Sequence, residues 1–190
     1  METNKERNSQ GAALGQYRPT LRFYHANQKG TGGALELKLH PAHDNVDGSI
    51  MMRVANQCAI GDRRGASPTF ARFDWANAIC VKLDFNDLCR ILQVFRGECE
   101  SINDDRGLYH QTSRAATKIQ LRHLVEPITG YSLEVYRNSK SGGADASSHI
   151  ILSSSEAYGI FTALEHSIAF ICFGVPGAYG AAGVKNVSAA

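Results

Sequence analysis

Residues 73–95, FDWANAICVKLDFNDLCRILQVF, carry the pattern of a strand that runs directly into a helix. Apolar residues recur at every second position of the strand, which is the period of a half-buried strand, at Ile79, Val81 and Leu83. Asp84 has the place of a helix N-cap, and Asp87 completes a capping-box pattern, although that motif prefers Glu or Gln. One apolar stripe then follows at helical spacing, at Leu88, Ile91, Leu92 and Phe95.

The same unit recurs 69 positions later (150 minus 81) in residues 149–164, HIILSSSEAYGIFTAL. Ser153 and Glu156 stand in the places of Asp84 and Asp87 and form a good capping box. The apolar positions align as Val81 with Ile150, Leu83 with Leu152, Leu88 with Ala157, Ile91 with Ile160, Leu92 with Phe161 and Phe95 with Leu164. Because eight spaced positions agree, the sequence favours an internal duplication over a chance match.

Further alternating segments fill out each half of the chain. In the first half we predict strands over 21–25, through the leucines of 35–39, and over 50–54 and 78–83. In the second half we predict strands over 117–122, 131–137 and 149–152, after a polar connector over 98–113. The helix predicted over 156–172 is apolar beyond a single stripe, which indicates burial on most sides. This order predicts an α+β fold in which strands and then one helix occur twice, with two antiparallel sheets packed with two helices.

The composition sets the size and the class of the protein. With 190 residues and 43% hydrophobic content, the chain can bury a core in one domain or in two tightly joined halves. The formal net charge of +2 argues against a histone-like polycation but allows a local basic face. Five cysteines without C-x-x-C spacing favour reduced thiols in a cytosol-like compartment. No stretch has the pattern of a secretory signal or of a membrane span.

Polar and small residues at the two ends predict the domain boundaries. We expect a disordered polar arm over 1–19 and a flexible Gly/Ala tail over 175–190. Between them we predict a single domain over 20–174, built from repeats at about 20–97 and 114–174.

Four short motifs occur in an order that resembles a known family. Residues 29–35 read KGTGGAL, 73–75 read FDW, 126–127 read EP, and 153–156 begin the capped second helix. This order resembles the Whirly family of single-stranded DNA-binding proteins, and more distantly the kinetoplastid mitochondrial RNA-binding proteins and Pur-alpha. The family carries KGKAAL, Tyr-Asp-Trp, a Glu-Pro turn and a Thr- or Ser-capped final helix at the corresponding places.

The resemblance covers residues from about 21 to 174. It implies a duplicated β4-α domain that binds single-stranded DNA and assembles as a tetramer held by its helices, although KGTGGAL lacks the second lysine of the motif that supports higher assembly in the family. The acidic residues Glu2 and Glu6 do not fit an organelle transit peptide. We therefore expect a cytoplasmic location, in a bacterium or a phage-infected cell, with an organelle or a nucleoid as the alternative.

Binding of single-stranded nucleic acid needs cations along the phosphates and flat rings on which bases stack. Basic residues alternate with the apolar faces of the strands, and Lys29 lies in a glycine-rich loop that a phosphate can approach closely. The aromatic residues near strands or their ends are Tyr24, Phe73, Trp75, Tyr131 and Tyr136. The predicted nucleic-acid-binding residues are Lys29, Lys38, Arg53, Trp75, Lys118, Gln120, Arg122, Tyr131 and Tyr136. The alternative is that the charges only solvate a sheet and that Trp75 belongs to the core.

The second helix has more apolar circumference than one sheet can cover, which predicts a homo-oligomer, with a tetramer favoured. The predicted interface residues are Phe161, Leu164, Ile168 and Phe170. The alternative is that both sheets of the same chain cover this helix.

Other kinds of site have weaker support. His40, His43, Asp44 and Asp47 resemble a metal-binding cluster but lie in a predicted surface turn. Cysteines near His149 or His166 resemble a nucleophile pair, but Cys80 and Cys89 fall in core-like elements, where cysteine behaves as a small hydrophobe. We therefore predict no catalysis, no metal and no cofactor.

The predicted function is binding of single-stranded DNA with little sequence selectivity, which protects strands in replication, repair or recombination. The alternatives are an RNA-binding or RNA-annealing protein of the same fold, and a protein-interaction scaffold that does not bind nucleic acid.

Overall fold

The first sheet is formed by the N-terminal half of the chain in the computed structural model, which describes residues 20–62, 64 and 67–175. Its strands are β1 Leu21–His25, β2 Gly33–His40, β3 Ser49–Ala59, β4 Arg72–Phe73 and β5 Ile79–Leu83. Strand β2 pairs with β1 and β3, and both β4 and β5 pair with β3, always antiparallel. The predicted arm over 1–19 and the predicted tail, apart from Val175, lie outside the described residues.

The strands of the second sheet are β6 Leu108–Gln111, β7 Ala115–Leu124, β8 Gly130–Ser139 and β9 Ala146–Ser153. They form an antiparallel meander in the order β6-β7-β8-β9. Helix α1, Phe85–Phe95, follows the first sheet, and α2, Ser154–Phe173, follows the second. The predicted α+β fold with a duplicated strands-then-helix unit is therefore confirmed.

Two strands of the structure are absent from the sequence-based prediction. Strand β6 lies inside the predicted polar connector over 98–113, so the second sheet begins before the predicted repeat start at 114. In β6 only Leu108 is buried, and β4 has two residues, so neither gives a readable alternation. Both strands form because a longer neighbour, β7 or β3, supplies the pairing partner.

Both helices begin with the predicted capping box. Asp84 accepts a hydrogen bond from the Asp87 amide at 3.0 Å, and the Asp87 carboxylate accepts one from the Asp84 amide at 3.1 Å. Ser153 and Glu156 make the equivalent pair at the start of α2. These bonds satisfy backbone donors that the first helical turn leaves unpaired.

The two halves share one hydrophobic core. Its most buried side chains come from both sheets and from the inner faces of both helices, and include Leu35, Met52, Leu83, Leu88, Leu121 and Leu152. Strand β9 crosses the first sheet at Gly33, where an added Cβ would lie 1.9 Å from the carbonyl oxygen of His149. The Asn56 side chain donates to the Ser147 carbonyl at 2.8 Å beside this crossing. Glycine at position 33 is therefore required by the close approach of two strands.

Two histidines, one in each half of the chain, contact acidic residues of the other half. His25, at the end of β1, lies 2.8 Å from Glu156 at the start of α2. His110, in β6, lies 3.1 Å from Asp87 at the start of α1. The first strand of each repeat thus contacts the capping acid of the opposite helix, so the two repeats form one interlocked unit.

Helix α2 is buried along one stripe of the single chain and not on most of its sides. The buried residues are Ala157, Ile160, Leu164 and Ile171. Tyr158 is 72% exposed and Phe173 is 80% exposed. The α2 sequence is apolar on both sides, but the sheets of its own chain reach only one of them. Across the part of the chain that the structure describes, no helix has the length and apolarity of a membrane span.

Candidate nucleic-acid interface

The outer face of the first sheet, turned away from the helices, carries three aromatic rings. The Tyr24 ring lies 5.5 Å from that of Phe73 and 6.2 Å from that of Trp75, and we call these three residues the aromatic cluster. Tyr24 is in register with Ala34 and Ala55, whose small side chains are fully buried on this face. Because Tyr24 is 52% exposed, the cluster presents a ring surface to solvent.

A row of charged residues borders the aromatic cluster. It consists of Arg22, Glu36 and Arg53, which are in register on β1, β2 and β3. The Arg53 guanidinium lies 5.2 Å from the Trp75 ring centroid and donates to the Trp75 carbonyl oxygen at 2.7 Å. Glu36 accepts from Arg22 at 2.6 Å and from Arg53 at 3.1 Å. The planar Arg53 thus stacks on Trp75 and holds it in place, as arginine does on aromatic faces.

Burial raises the pKa of the Glu36 carboxyl, but the hydrogen bonds and charges of Arg22 and Arg53 outweigh it and hold the pKa below its ordinary value of 4.5. A carboxylate with a depressed pKa stabilises the fold above its unfolded-state pKa, and this contribution is lost as the pH falls through the folded-state pKa. Glu36→Gln should therefore lower the free energy of unfolding by about 1–3 kcal/mol near neutral pH. The difference from the parent protein should shrink below pH 4.5, which urea unfolding at several pH values measures. A difference that stays constant down to the acid transition contradicts this account.

The loop that carries Lys29 is anchored by a buried amide. The Gln57 Oε1 atom accepts from the Asn27 and Gly32 amides at 2.9 and 3.2 Å, and its Nε2 donates to the carbonyls of Asn27 and Ala59. Asn27 in turn accepts from the Lys29 amide at 3.0 Å. These bonds hold the backbone of the loop in place, and Lys29 is exposed on it. Gln57 was not among the residues predicted from the sequence.

The outer face of the second sheet carries the other predicted cations. Lys118 is in register with Tyr109 and Tyr136, and its ammonium lies 5.7 Å from the Tyr109 ring centroid. Arg122 donates to the Asp105 carboxylate at 3.0 Å, and Gln120 donates to the Asp105 carbonyl at 2.8 Å. These two polar side chains are thus partly occupied by contacts inside the chain, whereas Lys118 faces a ring.

Tyr136 is exposed on the same face, and its hydroxyl donates to the Glu134 carboxylate. That hydrogen bond is the first cause of the raised pKa of the Tyr136 hydroxyl, because a bond to a carboxylate favours the protonated phenol. The ring remains available for stacking, while its polar end is directed by Glu134.

The structure divides the predicted binding residues between several places. Lys38, Arg53 and Trp75 lie on the outer face of the first sheet, Lys118, Gln120, Arg122 and Tyr136 on that of the second, and Lys29 in the β1–β2 loop. Tyr131 lies on the helix side, where its ring is 5.0 Å from Phe95 and 4.9 Å from His123. Its position two residues before Leu133, a core residue, was the signal in the sequence for this orientation.

Arg22 and Tyr109 lie on these faces but were named neither among the predicted binding residues nor among the aromatic residues near strands. Arg22 alternates with Leu21 and Phe23, and Tyr109 follows the buried Leu108, so period-two alternation contains the signal for both.

The predicted interface residues on α2 differ in how deeply they are buried. Leu164 is buried in the core of its own chain, while Phe161, Ile168 and Phe170 are half-buried. A groove of about 300 Å³ lies between α2 and the first sheet, beside Leu21, Leu39 and Ala163. The surface that the single chain leaves open is therefore the exposed side of α2 with this groove.

The sequence also contained two other candidate sites, a metal-binding cluster around His43 and a nucleophilic cysteine. His43 and Asp44 lie in an exposed turn, 3.8 Å apart. Among the described residues, no group of three or more His, Cys, Asp or Glu side chains is arranged to hold a metal ion. Cys80, on β5, accepts a hydrogen bond from Arg137 through its backbone carbonyl.

The sequence matches neither a protein-family model nor a curated protein. The fold is similar to that of WHY1 from Arabidopsis thaliana, with a TM-score of 0.66, 12% identity, and coverage of 83% of this chain and 87% of that one. The MRP1/MRP2 proteins of Trypanosoma brucei give a TM-score of 0.55 at 13% identity, with 82% and 86% covered. A guide-RNA-binding protein complex bound to a guide RNA gives 0.51 at 13% identity, with 82% and 92% covered.

Each of these likenesses covers more than four fifths of this chain. At the level of the fold, the resemblance predicted from the order of four short motifs is confirmed: the chain has the fold of the Whirly proteins and of the trypanosome MRP1/MRP2 proteins.

Proposed function

We propose that the protein binds single-stranded nucleic acid on the outer faces of its sheets. The observation that carries this proposal is the aromatic cluster with Arg53 stacked on Trp75, because solvent-exposed rings beside cations are what stacked bases and phosphates require. Lys118 beside Tyr109 repeats this combination on the second sheet. The similar guide-RNA-binding complex, bound to its RNA, supports the same class of ligand.

Single-stranded DNA is the ligand that we place first, because the four sequence motifs resemble those of the Whirly family. RNA is the second candidate, supported by the likeness to the guide-RNA-binding complex. The proposed role is protection of exposed strands in replication, repair or recombination. The proposal assigns the protein no catalytic activity and places it in the cytoplasm.

The proposed binding set combines rings and cations from both outer faces. It keeps Lys29, Lys38, Arg53, Trp75, Lys118, Gln120, Arg122 and Tyr136, and it adds Tyr24, Phe73 and Tyr109. Tyr131 is left out because its ring packs against Phe95 on the helix side.

We also propose that the protein is a homo-oligomer assembled through α2, with a tetramer favoured. Tyr158 and Phe173 are exposed in the single chain, and the groove beside Ala163 is lined by leucines of the first sheet. Exposed apolar surface of this kind marks an interface. Assembly through α2 leaves the outer faces of both sheets free, because they point away from the helices.

Fluorescence anisotropy with labelled oligonucleotides tests the binding. We expect clear preference for single-stranded DNA over duplex DNA, with an affinity that falls on a log–log plot by roughly 0.7 per neutralised phosphate as the salt concentration rises. Single-stranded RNA of the same sequence measures the preference between the two strand chemistries. Equal affinity for duplex and single strand contradicts the proposal, and absence of binding at low salt favours the protein-interaction scaffold.

A further inference from the structure

A cleft of about 1000 Å³ opens at one end of the first sheet, between the β1–β2 loop and the β3–β4 loop. Ala26, two residues after Tyr24, lines one wall, and Ala71, two residues before Phe73, lines the other. Because each of these wall residues is only two positions from a ring of the aromatic cluster, the end cleft adjoins that cluster. Its volume is at the upper end of the range of about 300–1,000 Å³ that small-molecule sites occupy.

The end cleft holds an aromatic ring and an aliphatic side chain that the chain itself leaves exposed. Phe70 is 78% exposed and Ile60 is 47% exposed, and both line the cleft. Two hydrogen bonds join the ends of the β3–β4 loop. The Thr69 amide donates to the Asp62 carbonyl at 2.7 Å, and the Asp62 amide donates to Thr69 Oγ1 at 3.0 Å. These bonds hold the backbone next to Phe70, so the position of its exposed ring is defined.

The polar groups of the end cleft suit the edge of a base. Asp62 Oδ1 accepts from the Arg64 amide at 2.8 Å, and its carboxylate is exposed to the cleft with further acceptor capacity. A carboxylate accepts hydrogen bonds from exocyclic amino groups, as in contacts with N4 of cytosine. Gln28 lines the opposite wall, and the exposed Lys29 follows it in the same loop and supplies a cation beside the cleft.

We propose that the end cleft binds one unstacked base of the bound strand and that Asp62 makes it prefer a base with an exocyclic amino group. This inference rests on the proposed function and adds one selective position to an otherwise sequence-tolerant surface. A base inside a strand is the occupant, because the cleft is open and continuous with the aromatic cluster, over which the neighbouring bases lie.

The test compares an oligothymidylate with the same oligonucleotide carrying one central cytosine, by competition anisotropy. The parent protein should bind the cytosine-containing strand roughly fivefold more tightly, as expected for one base-edge contact. Phe70→Ala should weaken binding of both strands by roughly fivefold or more, through loss of one stacking contact. Asp62→Asn should abolish or reverse the cytosine preference, because its amide can still accept from Arg64 while presenting a donor to the base.

The control is Phe85→Ala, which removes an exposed phenylalanine at the start of α1, on the helix side, and should leave both affinities unchanged. Thermal unfolding confirms that each variant is folded. If the parent protein binds single strands but shows no cytosine preference, or if Phe70→Ala binds as the parent does, the inference is overturned while the proposed function stands. Absence of parent binding overturns both.

A further competition experiment shows whether the end cleft binds a base within a strand or a free nucleotide. Cytidine monophosphate lacks the neighbouring bases that lie on the aromatic cluster, so it should not displace the strand at comparable concentrations. Displacement by the mononucleotide shows a free-nucleotide site and overturns the inference.

Discussion

Replacing Trp75 by alanine should weaken the binding of single-stranded DNA by about 1–3 kcal/mol, which is the contribution of one stacked base. The salt dependence of binding should change little, because an indole ring neutralises no phosphate. Arg53 also loses the ring on which it stacks, so we expect the loss at the upper end of this range. Anisotropy titrations at several salt concentrations measure both quantities.

The chain offers matched controls for this substitution. Tyr131→Ala removes an aromatic ring from the helix side and should lower stability without a comparable loss of affinity, since Tyr131 packs on Phe95. Lys118→Ala should also weaken binding but, unlike Trp75→Ala, it should flatten the salt dependence, because a phosphate contact is lost. Because Trp75 is the only tryptophan, quenching of its fluorescence by bound DNA reports the same contact. Unchanged affinity in a folded Trp75→Ala variant shows that the strand takes another face.

The parent protein should have a mass in solution about four times the 20.7 kDa of one chain, and Tyr158→Asp should reduce it towards a single chain. The reason is that Tyr158 is exposed in the single chain, so a charge there disrupts only a surface that a second copy covers. Light scattering behind size exclusion measures the mass, and circular dichroism shows that the fold is kept.

Leu164→Asp provides the comparison for the assembly. Leu164 is buried in its own chain, so a carboxylate there should unfold the protein and not merely dissociate it. A parent mass of 20.7 kDa across micromolar concentrations rules out the oligomer. A Tyr158→Asp protein that keeps the full parent mass shows that the interface lies elsewhere.

Local patterns predicted the elements of this fold because local interactions form them. The capping boxes of Asp84 and Ser153 involve groups three residues apart, so their spacing in the sequence contains the whole interaction. Period-two alternation likewise identified the core faces of β2, β5 and β7, where the buried residues include Leu35, Leu37, Ile79, Leu83, Ile119 and Leu121. The internal repeat was readable for the same reason, since both copies use the same cap and the same stripe.

Features that depend on contacts between distant residues could not be predicted from local sequence patterns. Strands β4 and β6 exist only because β3 and β7 pair with them, and the crossed contacts of His25 with Glu156 and of His110 with Asp87 join residues from opposite repeats. The end cleft is built from two loops that are separated in sequence and brought together by the pairing of β1, β2, β3 and β4.

The sequence by itself determined the composition of the candidate interface, cations and rings on alternating positions, but not which of them share a surface. The direction of each side chain follows from strand register, and register is set by which neighbours bury their apolar faces together. Tertiary packing therefore gathered Tyr24, Phe73 and Trp75 around Arg53, and it placed Tyr131, a ring of the same kind, on the opposite side of a sheet.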